Sequence, residues 1–160
     1  WTGGSALVAA DGPVAASDAG SLNQADLKPI VAEAIARWAD AGLDAASLGK
    51  LARVEFAIGA LSGSLLGLAA GNRVWLDRDA AGHGWFIDPT PAADEEFAPS
   101  GTGSQLTALD PRAVDQIDLQ TVVAHELGHI AGFADLDAQG ESLMSRALGT
   151  GVRRSPARES

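Results

Sequence analysis

The chain has 160 residues, 21 acidic and 11 basic, with a formal charge of −10, and it contains neither cysteine nor tyrosine. That length suits one compact domain. The missing cysteines exclude disulfides, Cys-ligated zinc and thiol catalysis, the acidic balance argues against a nucleic-acid partner, and no stretch is apolar enough to span a membrane.

Trp1 stands where an initiator would, and no signal peptide is visible, so the chain reads as a fragment or mature form of something longer. Residues 1–21 are rich in Gly, Ala and Ser and read as a flexible arm with one short strand at Ala6–Ala10. From there to about residue 150 the pattern is that of a folded domain. Leu27, Ile30, Val31, Ala34, Ile35 and Trp38 recur at helical spacing and predict a helix from Gln24 to Ala41, with Gly42 as its stop. RVEFAIGAL, residues 53–61, alternates as a strand does. SLLGLAA and RVWLD give two further strands around a turn at Gly71-Asn72. Residues 77–101 read as loop, and their acidic cluster Asp94–Glu96 is either a solvated face or a Ca2+ site. Helical spacing resumes over 118–132, with Asp118 or Asp115 as the cap. GVRRSPARES, residues 151–160, reads as a linker-like tail. Helix, strands, then helix, without repeats, predicts an α+β fold around one mixed sheet. Trp38, Trp75 and Trp85 are expected to anchor core and loops.

Two of the three histidines fall in HELGHIAGFAD, residues 125–135. On a helix, i and i+4 share a face, so His125 and His129 present two imidazoles to one point. That is a donor set for Zn2+. Glu126, the next residue round, is placed to hold a water rather than to ligate. A catalytic zinc takes three protein ligands. Gly132 lets the backbone turn out of the helix and bring Asp135 back to the metal. Asp137, His83 and Glu141 are the competing third ligands.

HELGHIAGFAD resembles the metzincin zinc signature with aspartate in place of the third histidine, as in the snapalysin-like branch of secreted bacterial proteases. Metzincins also carry a methionine in a tight turn below the metal, and the only methionine here is Met144. SLLGLAAG and NRVWLDRDAAGHGW resemble the rim strand and following loop of matrixins. The resemblance covers most of residues 24–146. It departs from the family in having no tyrosine and no room for a long closing helix after Met144. It implies a twisted mixed β-sheet with a backing helix and an active-site helix, and a small C-terminal subdomain after Gly132. It further implies zinc on His125, His129 and Asp135, with Glu126 as general base and Met144 as the Met-turn. Ser64, Leu65, Leu66, Gly67, Leu68 and Ala69 would form an open rim that pairs with a protein or peptide substrate. The expected protein is a secreted or cell-surface zinc endopeptidase that acts on proteins and on flanking segments of its own precursor. Two other readings compete. One is a non-catalytic, zinc-stabilised binding or adhesion module, which would have no use for Glu126. The other is a zinc amidase for small molecules, which would have no use for a long rim strand.

Overall fold

The computed structural model describes residues 5–10, 22–61, 63–91, 93–99, 105–133 and 143–156. Its main sheet has five strands: β1 (Ser5–Ala9), β2 (Glu55–Gly59), β3 (Leu65–Ala70), β4 (Arg73–Asp77) and β9 (Ala147–Leu148), in the order β2-β4-β3-β1-β9. The sheet is mixed. β2 runs parallel to β4, β3 antiparallel to β4, β1 antiparallel to β3, and β9 parallel to β1. A three-stranded sheet joins β6 (Phe97–Pro99), β7 (Leu106–Ala108) and β10 (Val152–Arg153), and β5 (Trp85–Phe86) pairs with β8 (Ile117–Asp118). The α+β class and the mixed sheet are as the sequence predicts.

Helix α1 (Gln24–Asp40) lies within one residue of its expected span. The Asn23 side chain caps it by accepting from the Asp26 N–H at 2.9 Å. Its inner stripe of Leu27, Ile30, Ala34 and Trp38 is buried. Each such large apolar side chain contributes roughly 1.5–3 kcal/mol of burial. Gly42, at φ 102°, supplies the left-handed turn that stops the helix. A second helix, α2 (Ala45–Ala52), is capped by Asp44, and a single turn, α3 (Pro111–Val114), is capped by Asp110. Helix α4 (Leu119–Ala131) is the innermost element. Every residue from Leu119 to Gly128 is buried, as expected of a helix covered on all sides. It packs against α1 and α2 on one side and against β1 and β3 on the other.

Three expectations change. The rim strand does not present an open edge. β3 is paired on both sides, by β4 and by β1, so the strand expected inside a flexible arm is an interior strand of the main sheet. Leu7 and Ala9 take it there because their side chains are buried at 1% and 4% exposure. Nor is the described part of the tail a linker. Arg153 is fully buried and β10 joins the small sheet. Among the described residues after Gly132, 147–148 enter the main sheet and 152–153 the small one, rather than forming a lobe apart.

Candidate metal and catalytic site

The sequence decides where α4 ends. Gly132 adopts φ 110°, ψ 4°, and its N–H donates to the carbonyls of Gly128 and His129. The Phe133 N–H reaches back to the Gly128 carbonyl at 2.9 Å. The Phe133-to-Gly128 and Gly132-to-His129 bonds make a Schellman turn, which needs a residue at ease in the left-handed region. The turn carries Phe133 back over the helix, where its ring stacks on Trp38 at 5.1 Å. It also presents the Phe133 carbonyl to His129.

His129 Nδ1 donates to that carbonyl at 2.8 Å, and His125 Nδ1 donates to the Leu143 carbonyl at 2.7 Å. A carbonyl only accepts, so both rings carry their proton on Nδ1. Both Nε2 atoms are then lone-pair donors in the neutral rings, and they lie 3.1 Å apart with the rings at 80°. Two lone pairs facing at that distance repel unless a cation or a shared proton stands between them. Two nitrogens bound to one tetrahedral zinc at about 2.0–2.1 Å would stand about 3.3–3.4 Å apart. The arrangement fits a metal, and it includes the outer hydrogen bonds that fix tautomer and ring orientation in histidine metal sites.

Glu126 is fully buried beside the pair. Its neighbour is Gly67 of β3. A Cβ at Gly67 would lie 2.9 Å from Glu126 Oε2 and 3.1 Å from Val122 Cγ1, so glycine is what lets the carboxylate approach the strand. Gly128 does the same on the other side of α4. A Cβ there would lie 2.6 Å from Met144 Sδ and 2.9 Å from Trp38 Cζ2. Met144 therefore packs on α4 between His125 and His129 in sequence, next to the residue whose carbonyl orients His125. Trp38 is fixed in turn by its indole N–H, which donates to the Ala124 carbonyl at 2.9 Å.

The fold thus brings together His125, Glu126, His129, Met144 and Gly67. Leu65, Leu66, Leu68 and Ala69 lie with Gly67 in β3, and Ser64 leads into it. Asp135, Asp137 and Glu141 fall outside the described residues. Among the described residues no further His, Cys, Asp or Glu joins the imidazole pair in a group of ligand atoms within 4.8 Å of one another.

A second group was only half visible in the sequence. Ligand atoms of Asp88, Glu95 and Glu96 lie within 4.8 Å of one another and can hold a cation. Asp94, expected with them, points elsewhere, to Arg37 and Arg153 at 2.9 Å each. Burial opposes ionisation of Asp94, yet these two guanidiniums hold its carboxyl below the usual range. Burial pushes Glu96 up, and the hydrogen bond from the Thr90 hydroxyl draws exposed Glu95 down. Arg153 itself is enclosed. It pairs with Asp88 at 3.0 Å, with both oxygens of Asp118 at 2.8 and 2.9 Å, and lies 4.4 Å over the Phe97 ring. Asp118 stands at the N-cap of α4, but its carboxylate serves Arg153 and the Thr121 hydroxyl instead of the helix backbone.

No family model matches the chain, and no curated protein or solved structure matches it significantly. No helix of the described residues is long and apolar enough to cross a membrane.

Proposed function

We propose that the chain is a secreted zinc-dependent endopeptidase of metzincin type. The observation that carries this reading is the pair of Nε2 atoms 3.1 Å apart, each ring oriented by an Nδ1–H bond to a backbone carbonyl, with a fully buried glutamate next in sequence. His125 and His129 would hold the metal from α4. Asp135 is the proposed third ligand, on the resemblance and on the Gly132 turn that starts the chain back. Bound there, zinc supplies a Lewis acid and brings the pKa of a coordinated water to about 7. Glu126 takes a proton on its carboxylate and returns it to the departing amine. Its burial between α4 and Gly67 keeps it in place for both transfers. Met144 packs on Gly128, between the two histidines in sequence, and would make no bond to the metal. The Leu143 carbonyl, one residue earlier, keeps the His125 proton on Nδ1.

A glutamate placed as a base argues for catalysis over a purely structural zinc module, which gains nothing from a buried carboxylate at that position. The test is digestion of unfolded casein by the zinc-loaded chain and by its Glu126→Ala variant. The variant is expected to keep its zinc and lose at least ~100-fold in rate, the low end of a positioned general base. Equal rates would remove Glu126 from the mechanism, and no digestion by either form would return the chain to the binding-module reading.

A further inference from the structure

The two imidazoles of α4 are held in unequal surroundings. His125 is fully buried, and the Leu143 that supplies its acceptor carbonyl is buried too. His129 is only half-buried and takes its acceptor from Phe133, just past the helix and 36% exposed. Something must hold that carbonyl still. The Phe133 ring stacks on Trp38 with centroids 5.1 Å apart and planes at 17°. Trp38 belongs to the last turn of α1 and is buried. Its indole N–H donates to the Ala124 carbonyl at 2.9 Å, and its Cζ2 lies where a Cβ on Gly128 would come within 2.9 Å. Trp38 is therefore locked to α4 at Ala124 and Gly128, the residues that precede His125 and His129. The Phe133 ring rests on a fixed platform.

Two rotations, φ and ψ, decide where the Phe133 carbonyl points. The turn at Gly132 fixes only the nitrogen of Phe133, whose N–H donates to the Gly128 carbonyl at 2.9 Å. The stack fixes Cβ. With nitrogen and Cβ both held, the chirality of Cα leaves the carbonyl carbon one direction, so φ is set. Only ψ remains, and the His129 Nδ1–H bond at 2.8 Å fixes it. Without the ring both rotations are open, and that single hydrogen bond must hold them against the conformational entropy of the chain.

We propose that Phe133 is a positioning residue for zinc: its ring, seated on Trp38, holds the carbonyl that keeps the His129 proton on Nδ1 and leaves Nε2 free to bind the metal. This rests on the zinc reading for its consequence but not for its effect on the ring. Loss of a group that orients a metal-bound histidine costs about 10–100-fold in metal affinity. The carbonyl itself survives any change of side chain at 133, and a stacked aromatic pair is worth up to about 10-fold in an equilibrium, so the lower end of that range applies.

The test uses the full chain. Phe133→Ala removes the ring from a partly exposed position and leaves Gly132 and its turn, whereas Phe133→Tyr keeps the stack. The first readout is the tautomer of His129 in the zinc-free chain. It is read from the ring 15N shifts at a pH where imidazole is neutral and assigned among the three histidines with His83→Gln and His125→Gln. The second is zinc affinity, by competition with a chelator. The parent and Phe133→Tyr are expected to show one tautomer at His129, with the proton on Nδ1, and equal affinity. Phe133→Ala is expected to exchange between the two tautomers and to bind zinc about 10-fold more weakly. Loss of packing alone would leave the tautomer as it was. Phe133→Leu, apolar but without a ring face, stands in if the alanine variant does not fold. An unchanged His129 tautomer in the ringless variant overturns the proposal, whatever happens to zinc. A tautomer that responds in a chain that binds no zinc upholds the positioning of the ring and defeats the metal reading instead.

Discussion

On α4, two imidazole nitrogens converge on one point 3.1 Å across. Beside β6, three carboxyls gather next to a guanidinium that the fold itself supplies, Arg153, only 3.0 Å from Asp88. Both places collect metal-type ligands, but they balance charge differently. The first brings two Nε2 atoms together on rings whose Nδ1 atoms are held by backbone carbonyls. The second has one internal cation beside it, Arg153, tied to Asp88 of the group and to Asp94 and Asp118 outside it. A count of acidic residues would rank the second site higher. The convergence of two ring nitrogens is why the first is proposed as the metal site, and the ion pairs of Arg153 beside the second form a clamp. That clamp joins residue 153 to the N-terminus of α4.

The comparison breaks most visibly at Arg153. Arg153→Met leaves Asp118 and Asp88, at 1% and 0% side-chain exposure, buried without their cation. It should cost about 3–5 kcal/mol in urea unfolding while sparing zinc stoichiometry per folded molecule. A variant of unchanged stability would show that the clamp is ornamental. A smaller effect is expected on the other side. Gly128→Ala drives a Cβ to 2.6 Å from Met144 Sδ, and the flexible thioether can yield, so overpacking should cost about 1–3 kcal/mol. Zinc affinity should fall with it, because Met144 follows the carbonyl that orients His125; equilibrium titration of zinc against a chelator reads this directly. Smallest is the acid response of the clamp. Asp94 has its carboxyl held below the usual range in the folded chain by Arg37 and Arg153, against burial. Its stabilising contribution is therefore present above the unfolded value and lost as pH falls through the lower folded one. Thermal melts from pH 6 to pH 3 should show a shallower loss of stability in Asp94→Asn than in the parent. Parallel curves would detach Asp94 from the clamp's acid response.

How much of this the sequence disclosed depends on the range of the interactions. Helices α1 and α4 and strands β3 and β4 were legible because their apolar residues repeat at the period of the element. The imidazole pair was legible because i and i+4 are neighbours on any helix. Helix α2 was not, since AASLGKLA buries only Leu51; the capping residue Asp44 was the available signal. The place of Ser5–Ala9 was not, because a short strand carries no record of which edge it will fill. Arg153 was least legible. GVRRSPARES has the composition of a linker, and the partners that bury Arg153 lie at residues 88, 94, 97 and 118. Asp88 was missed for the same reason, whereas the neighbouring run Asp94–Glu96 drew notice by being contiguous.

The central claim is that the two Nε2 atoms of α4 hold a metal. X-ray absorption at the zinc edge, on the purified chain loaded with one equivalent of zinc, tests it most directly. The account predicts scattering from two imidazoles at about 2.0–2.1 Å, lost in His125→Ala and in His129→Ala. An all-oxygen shell that survives both substitutions and collapses in Glu96→Gln would contradict it and move the metal to the acidic cluster.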